Sequence, residues 1–156
     1  MIRVLALDID GVLTSGTVTI DDAGRELKTV SYRDIDAVFH AHRQGLTVAL
    51  VTGEDSPWVD QIVKRLGVLH VWRGAKDKGR ALNNLCAELH VTLDEVCYVG
   101  DSVRDADALA AAGLGLAPAD ASPSAIRAAD RVLLHKGGDG AVAEAVDIVL
   151  GVGSPA

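Results

Sequence analysis

Val4-Leu5-Ala6-Leu7-Asp8-Ile9-Asp10-Gly11 decides the fold. Four apolar residues predict a buried strand of a parallel sheet, and the strand runs directly into two acids. Side chains alternate along extended backbone, so Asp8 and Asp10 share one face and Ile9 takes the other. Gly11 permits a sharp turn and leaves room for a ligand. Two carboxylates at one strand end are tolerated together only with a cation, a proton or a polar ligand. A solvated acidic turn is the alternative for Asp-x-Asp alone. The apolar strand ahead and Gly11-Val12-Leu13-Thr14 behind argue against it.

Further along, Thr17–Ile20 and Arg25–Val30 alternate around Asp21-Asp22-Ala23-Gly24, the pattern of a β-hairpin over about residues 17–30. Placed just after the first strand, it sits above that strand's carboxyl end. A helix is predicted from Arg33 to Gln44, ended by Gly45. A second buried strand, Leu46–Val51, closes on Thr52-Gly53, and Ser56-Pro57 opens the next helix. His70-Val71-Trp72 forms a short strand, Lys76–Leu89 a helix, and Thr92–Glu95 a capping box over a brief turn. Val96–Val99 is a third buried strand, ending in Gly100-Asp101-Ser102. An Ala-rich helix from Asp105 to Ala112, a strand Leu114–Ala117, a helix at Ser122-Pro123, a strand Arg131–Leu134 and a closing helix Ala141–Leu150 follow. Alternating strands and helices predict a doubly wound α/β parallel sheet with helices on both faces. Residues 1–150 read as one domain without a cap domain, and 151–156 as a tail.

Composition fits a soluble enzyme. Apolar residues are 49% of the 156 and charged residues 24%, enough for a core and too few for a disordered chain. A net charge of -7 and 3% aromatics argue against nucleic acid and anionic membranes as partners. Asp8 interrupts the first apolar run, which is therefore neither a signal peptide nor a membrane span. Cys86 and Cys97 lack metal or redox spacing and are expected as core thiols in a reducing cytoplasm.

Three strand ends thus carry polar groups: Asp8 and Asp10, Thr52, and Asp101. Lys78 opens a helix between the second and third. Singly, Thr52 suits a structural hydroxyl, Lys78 a solvated lysine, and Asp101 or Asp105 a helix cap. Together they supply what phosphoryl transfer requires. A carboxylate serves as nucleophile, a second group protonates the leaving oxygen, and positive charge surrounds the equatorial oxygens. Asp8, the Asp10 carbonyl and Asp101 offer Mg²⁺ the hard oxygen ligands it prefers. Thr52, Gly53 and Lys78 are the candidate phosphoryl binders.

In this order, Asp8-Ile9-Asp10-Gly11-Val12, Thr52-Gly53, Lys78 and Gly100-Asp101-Ser102-Val103-Arg104-Asp105 resemble the four motifs of the haloacid dehalogenase-like phosphatases over nearly the whole chain. The resemblance implies that Asp8 is the nucleophile and Asp10 the general acid/base. It also implies that Asp101 helps to hold Mg²⁺, with Gly11, Ser102 and Asp105 in support. The early hairpin, Gly24-x-Glu26-Leu27-Lys28 and Gly137-Gly138-Asp139-Gly140-Ala141-Val142 look like the capless subgroup. That subgroup acts on octulosonate 8-phosphate or nonulosonate 9-phosphates, as homotetramers whose neighbours cover the sites.

The chain departs from that subgroup at several places. Octulosonate enzymes usually carry Arg after Thr-Gly, where this chain has Glu54. With Arg65 on the following helix, and more weakly Ala41-His42, Glu54 resembles the nonulosonate 9-phosphate phosphatases, so Glu54 and Arg65 become candidate specificity residues. Ser102 stands where a second acid is common. Arg33–Ala37, including Ile35, lacks the usual glycines, and Ala143 replaces an Arg. The Gly137–Gly140 segment reads equally as a mobile closing element or as an ordinary loop. The expected reaction is hydrolysis of a sugar-acid phosphomonoester. Another small sugar phosphate, or a non-catalytic module beside a sugar-nucleotide synthetase, are the alternatives.

Overall fold

The computed structural model describes residues 1–151. Its main sheet has six parallel strands: β1 (Val4–Leu7), β4 (Thr47–Val51), β5 (His70–Trp72), β6 (Val96–Val99), β7 (Leu114–Ala117) and β8 (Arg131–Val132). Their spatial order is β5-β4-β1-β6-β7-β8. The chain therefore winds outward from β1 first one way and then the other. In such a sheet the ligand crevice opens at the carboxyl ends of the central strands, where the winding reverses. Asp8 follows β1 there, Thr52 follows β4 and Asp101 follows β6.

Side-chain alternation assigns the two faces. Leu5, Leu7, Val48, Leu50, Cys97 and Val99 pack on one side, against α1 (Tyr32–Arg43), α2 (Pro57–Leu66) and α6 (Ala141–Leu150). Val4, Ala6, Ala49, Val51, Val96 and Tyr98 pack on the other, against α3 (Lys78–Leu89), α4 (Ala106–Ala111) and α5 (Pro123–Ala128). Being buried on both faces, these strands read as continuous apolar runs. Cys86 and Cys97 are buried and unpaired. Among the described residues no helix is long and apolar enough to cross a membrane, and no cap domain is evident.

Several elements are shorter than the sequence pattern suggests. The hairpin pairs only β2 (Thr19–Ile20) with β3 (Glu26–Leu27). The helix expected from Asp105 begins as a tight turn, Val103–Asp105, before α4, and β8 has two residues. The tail expected from 151 has only Gly151 within the described residues, as the left-handed cap of α6. The rest of it lies outside them.

The Gly137–Gly140 segment does not cover the cleft. It is wedged behind the turn after β1. The Gly138 N–H donates to the Val12 carbonyl at 2.9 Å. A Cβ on Gly137 would lie 1.9 Å from the Gly11 carbonyl oxygen. Of the two readings of this segment, the structure takes the packed loop. Asp34 explains part of the following helix: its carboxylate accepts the Gly140 N–H at 3.3 Å and the Ala143 N–H at 2.9 Å, capping α6 from α1. Ile35 beside it packs into the core.

Candidate active site

Strand β1 ends at Leu7, but the backbone stays extended one residue further, and the Asp8 N–H still donates to the Val99 carbonyl at 3.0 Å. Ile9 is fully buried, while Asp8 and Asp10 both line a cleft of about 450 Å³. The expected sharing of a face therefore holds, carried by a turn over Ile9–Leu13 rather than by a continued strand. Gly11 makes that turn at φ 84°, and a Cβ there would lie 1.8 Å from Asp101 Oδ2. Any side chain at Gly11 would displace Asp101.

Lys78 is the hub of the floor. Its buried ammonium lies 3.1 Å from Asp8 Oδ1 and 3.0 Å from Asp105 Oδ1. Asp105 Oδ1 also accepts the buried Tyr98 hydroxyl at 2.6 Å. Its Oδ2 takes the N–H groups of Asp101 and Ser102 at 3.0 and 3.1 Å and the Ser102 hydroxyl at 3.3 Å. Asp105 thus anchors Lys78 and shapes the loop that presents Asp101. Ser102, in the place of a second acid, caps this turn by accepting the Arg104 N–H.

Charge on this floor is unbalanced. Burial, then the charges of Asp105 and Asp101, push the Asp8 carboxyl well above the usual carboxylate range, against the pull of Lys78. Burial and Asp105 push Asp101 up to about 6. Burial alone would raise Asp105 too, but Lys78, the Tyr98 hydroxyl and the Ser102 N–H outweigh it and hold Asp105 low. Against its own burial, Lys78 is held above its ordinary value by Asp8 and Asp105. Oxygens of Asp8, Asp101 and Asp105 lie within 4.8 Å of one another. With one ammonium among three carboxylates, this all-oxygen donor set fits a hard divalent cation. Asp105 is already saturated by donors, which leaves Asp8 and Asp101 as the open ligands.

Thr52 is buried at the end of β4, its Oγ1 accepting the Glu54 N–H at 3.1 Å, so its own proton remains to donate to a ligand. Gly53 also lines the cleft, and its carbonyl accepts Lys76 Nζ at 2.9 Å. Ser102 and Arg104 complete the rim. Glu54 lines the cleft as well, but Arg65 does not. Arg65 is exposed in the last turn of α2, about 12 Å along the helix from its start at 1.5 Å per residue. The helix runs away from the strand end, so Glu54 and Arg65 are not brought together.

Sequence reasoning missed Lys28, Lys76 and Arg104. Lys28 lies in the Gly24–Lys28 motif, which by itself gives it no role. Its side chain is 7% exposed and its ammonium lies 2.9 Å from Asp10 Oδ1 and 2.9 Å from Glu54 Oε1. Lys76, two residues before Lys78, and Arg104, inside the last motif, carried no signal to distinguish them from solvated cations.

Comparison with known proteins agrees with this geometry. The sequence pattern of the haloacid dehalogenase-like hydrolases matches residues 28–113. The 3-deoxy-D-manno-octulosonate 8-phosphate phosphatase of Salmonella typhi is 37% identical over 149 residues, 96% of this chain and 79% of that protein. The protein of the same name from Yersinia pestis is 35% identical over 149 residues, 96% of this chain and 80% of that one. Among solved structures, the octulosonate 8-phosphate phosphatase of Moraxella catarrhalis, in complex with magnesium, phosphate and KDO, superposes with a TM-score of 0.92. It is 31% identical and covers 96% of this chain and 86% of its own. A cobalt-bound phosphatase from Haemophilus influenzae gives 0.90 at 33% identity, covering 96% and 88%.

Proposed function

The chain belongs to the haloacid dehalogenase-like hydrolases, and from that premise we propose that it is a Mg²⁺-dependent phosphatase of a 3-deoxy-2-keto sugar-acid phosphomonoester. The observation that most supports this is the buried Asp8 at the mouth of β1, with Lys78 at 3.1 Å and Asp101 in the same oxygen cluster. Asp8 attacks phosphorus and becomes an aspartyl-phosphate. Asp10 protonates the departing alkoxide and then takes a proton from the water that hydrolyses the acyl phosphate. Thr52, the Gly53 backbone and Lys78 hold the phosphoryl oxygens. Asp8, Asp101 and the Asp10 carbonyl would hold Mg²⁺, which when bound neutralises charge on the nucleophile and on the phosphoryl group. The related phosphatases support octulosonate 8-phosphate as substrate. Glu54, in place of the Arg usual there, supports a nonulosonate 9-phosphate. A phosphate-release assay over both sugar acids and a hexose 6-phosphate, with Mg²⁺, decides the class. The sugar acids are expected to lead in kcat/KM by at least about tenfold, a difference of about 1.4 kcal/mol. Equal rates for the hexose phosphate would refute the sugar-acid assignment.

The same reading includes a homotetramer in a reducing cytoplasm, which suits the unpaired thiols. In the hairpin, Val18, Ile20 and Leu27 are 41%, 61% and 59% exposed. A two-stranded hairpin is marginal alone, and closed packing of several would cover both edge and apolar face. Sedimentation at working concentration is expected to give about four times the 16.2 kDa chain mass. A fully active monomer would refute it.

A further inference from the structure

Five carboxylates surround the cleft, and two ammonium groups, that of Lys78 buried and that of Lys28 partly so, divide four of them into pairs. Lys78 joins Asp8 to Asp105 on the floor. Lys28 joins Asp10 to Glu54 at the mouth. The second pair is unusual in its origin. Lys28 follows β3 of a hairpin whose apolar side chains are largely exposed, yet its own side chain is almost fully covered. Its ammonium also lies 4.9 Å from the centre of the Trp58 ring, a cation–π contact with α2. One side chain thus fastens the hairpin to the turn after β1, to the loop after β4 and to α2. Asp10 is the exposed partner, and a half-exposed carboxylate on a turn has several rotamers available unless something selects one; its Oδ1 meets the Thr14 hydroxyl at 3.5 Å and Lys28 at 2.9 Å, so Lys28 is the closer hold. Glu54 Oε1 is taken by Lys28, while its buried Oε2 has no donor among the described residues.

We infer that Lys28 is a positioning residue: it seats the hairpin over the cleft and holds the Asp10 carboxyl group by Oδ1, leaving Oδ2 to carry the proton that goes to the leaving oxygen. The inference rests on the phosphatase reading and goes further by giving the hairpin a duty toward its own chain's site. It also alters the meaning of Glu54. An Arg at that position would set a second cation against Lys28, so a change there disturbs the hairpin seat as well as any contact to substrate.

The leaving group separates positioning from mere stability. Proton donation matters for an alkyl phosphate and little for p-nitrophenyl phosphate, whose phenolate leaves unaided. Turnover on both is compared for Mg²⁺-loaded wild type, Lys28→Met, Lys28→Gln and Lys28→Arg, each checked for folding by circular dichroism. Both neutral variants are expected to lose about 10- to 100-fold in kcat on the alkyl phosphate, the scale of a misplaced catalytic group. Their loss on the aryl phosphate is expected to be several-fold smaller. Lys28→Arg, which keeps a cation on the stem, is expected to recover much of the alkyl-phosphate rate. Equal fractional loss on both substrates, or loss on neither, would overturn the role of Lys28 and leave the phosphatase reading standing. A wild type inert toward every phosphomonoester would overturn both.

Discussion

Asp8→Asn is expected to abolish turnover, by about four orders of magnitude or more, while the protein stays folded. Asn keeps the shape and one acceptor oxygen, so the Ile9 N–H at 2.8 Å and the Lys78 ammonium retain a partner. It removes the anionic oxygen that attacks phosphorus in the proposed mechanism. The fold should not suffer, and the sign of the electrostatics makes this testable. Burial and the charges of Asp105 and Asp101 push the Asp8 carboxyl upward, so the ionised form is disfavoured in the folded state relative to the unfolded one. An acid with a raised folded pKa contributes less stability once the pH has risen above its unfolded value. Without metal at neutral pH, the neutral Asn variant should therefore melt no lower than wild type. Phosphate release by a purified, folded variant, measured against an enzyme-free control, is the check. Turnover within tenfold of wild type would sink the nucleophile assignment. A melting point well below that of wild type would sink the electrostatic account of the floor.

Much of this site is legible in the sequence because the relevant physics is local. Period-two alternation assigns Leu5 and Leu7 to one face and Val4 and Ala6 to the other, so the strand and its end follow from eight residues. Strand ends then bring Asp8, Thr52 and Asp101 together, since parallel topology places all carboxyl ends on one side. What escapes depends on how far apart in sequence the partners are and on backbone contact. Lys28 finds Asp10 and Glu54 only because a short hairpin folds back over the sheet, and nothing in Glu26-Leu27-Lys28 sets that return angle. Asp105 reads as a helix cap, but its carboxylate makes no cap bond to α4; one oxygen bonds back to the Asp101 and Ser102 N–H groups and the other holds Lys78, 27 residues away in sequence. Gly137 and Gly138 look like a flexible loop because glycine permits motion. Here they are glycine because the backbone of Gly11 to Ser15 lies where a Cβ would stand. Resemblance alone pairs Arg65 with Glu54. The direction of α2 carries it away from the cleft, and periodicity along one chain has no means to show that.

Removing the metal is expected to eliminate activity entirely and reversibly. The floor holds Asp8, Asp101 and Asp105 around one ammonium, and Asp105 already spends its oxygens on Lys78, Tyr98, Asp101 and Ser102. Ionising Asp8 and Asp101 therefore leaves excess negative charge on the floor, and an anionic phosphate meets repulsion there unless a cation intervenes. Chelation should thus bring turnover to the buffer rate, and Mg²⁺ should restore it, while Asp101→Asn should need far more Mg²⁺ for the same rate. Acidity adds a second arm. Asp101 is pushed up to about 6, above its unfolded value, so in metal-free protein the stability it contributes is highest when it is protonated and declines as the pH rises toward 6. Mg²⁺ takes the ionised carboxylate, so protons and metal compete. The rise in melting temperature on adding Mg²⁺ should accordingly be small at pH 5 and grow from about pH 6 upward, because Asp8, also raised, gives up its proton to the metal as well. A calorimetric series over pH 5 to 8, with chelator or with Mg²⁺, measures both quantities. Full activity in chelator, or a metal-induced shift that shrinks as the pH rises, would place the cation somewhere other than beside Asp101.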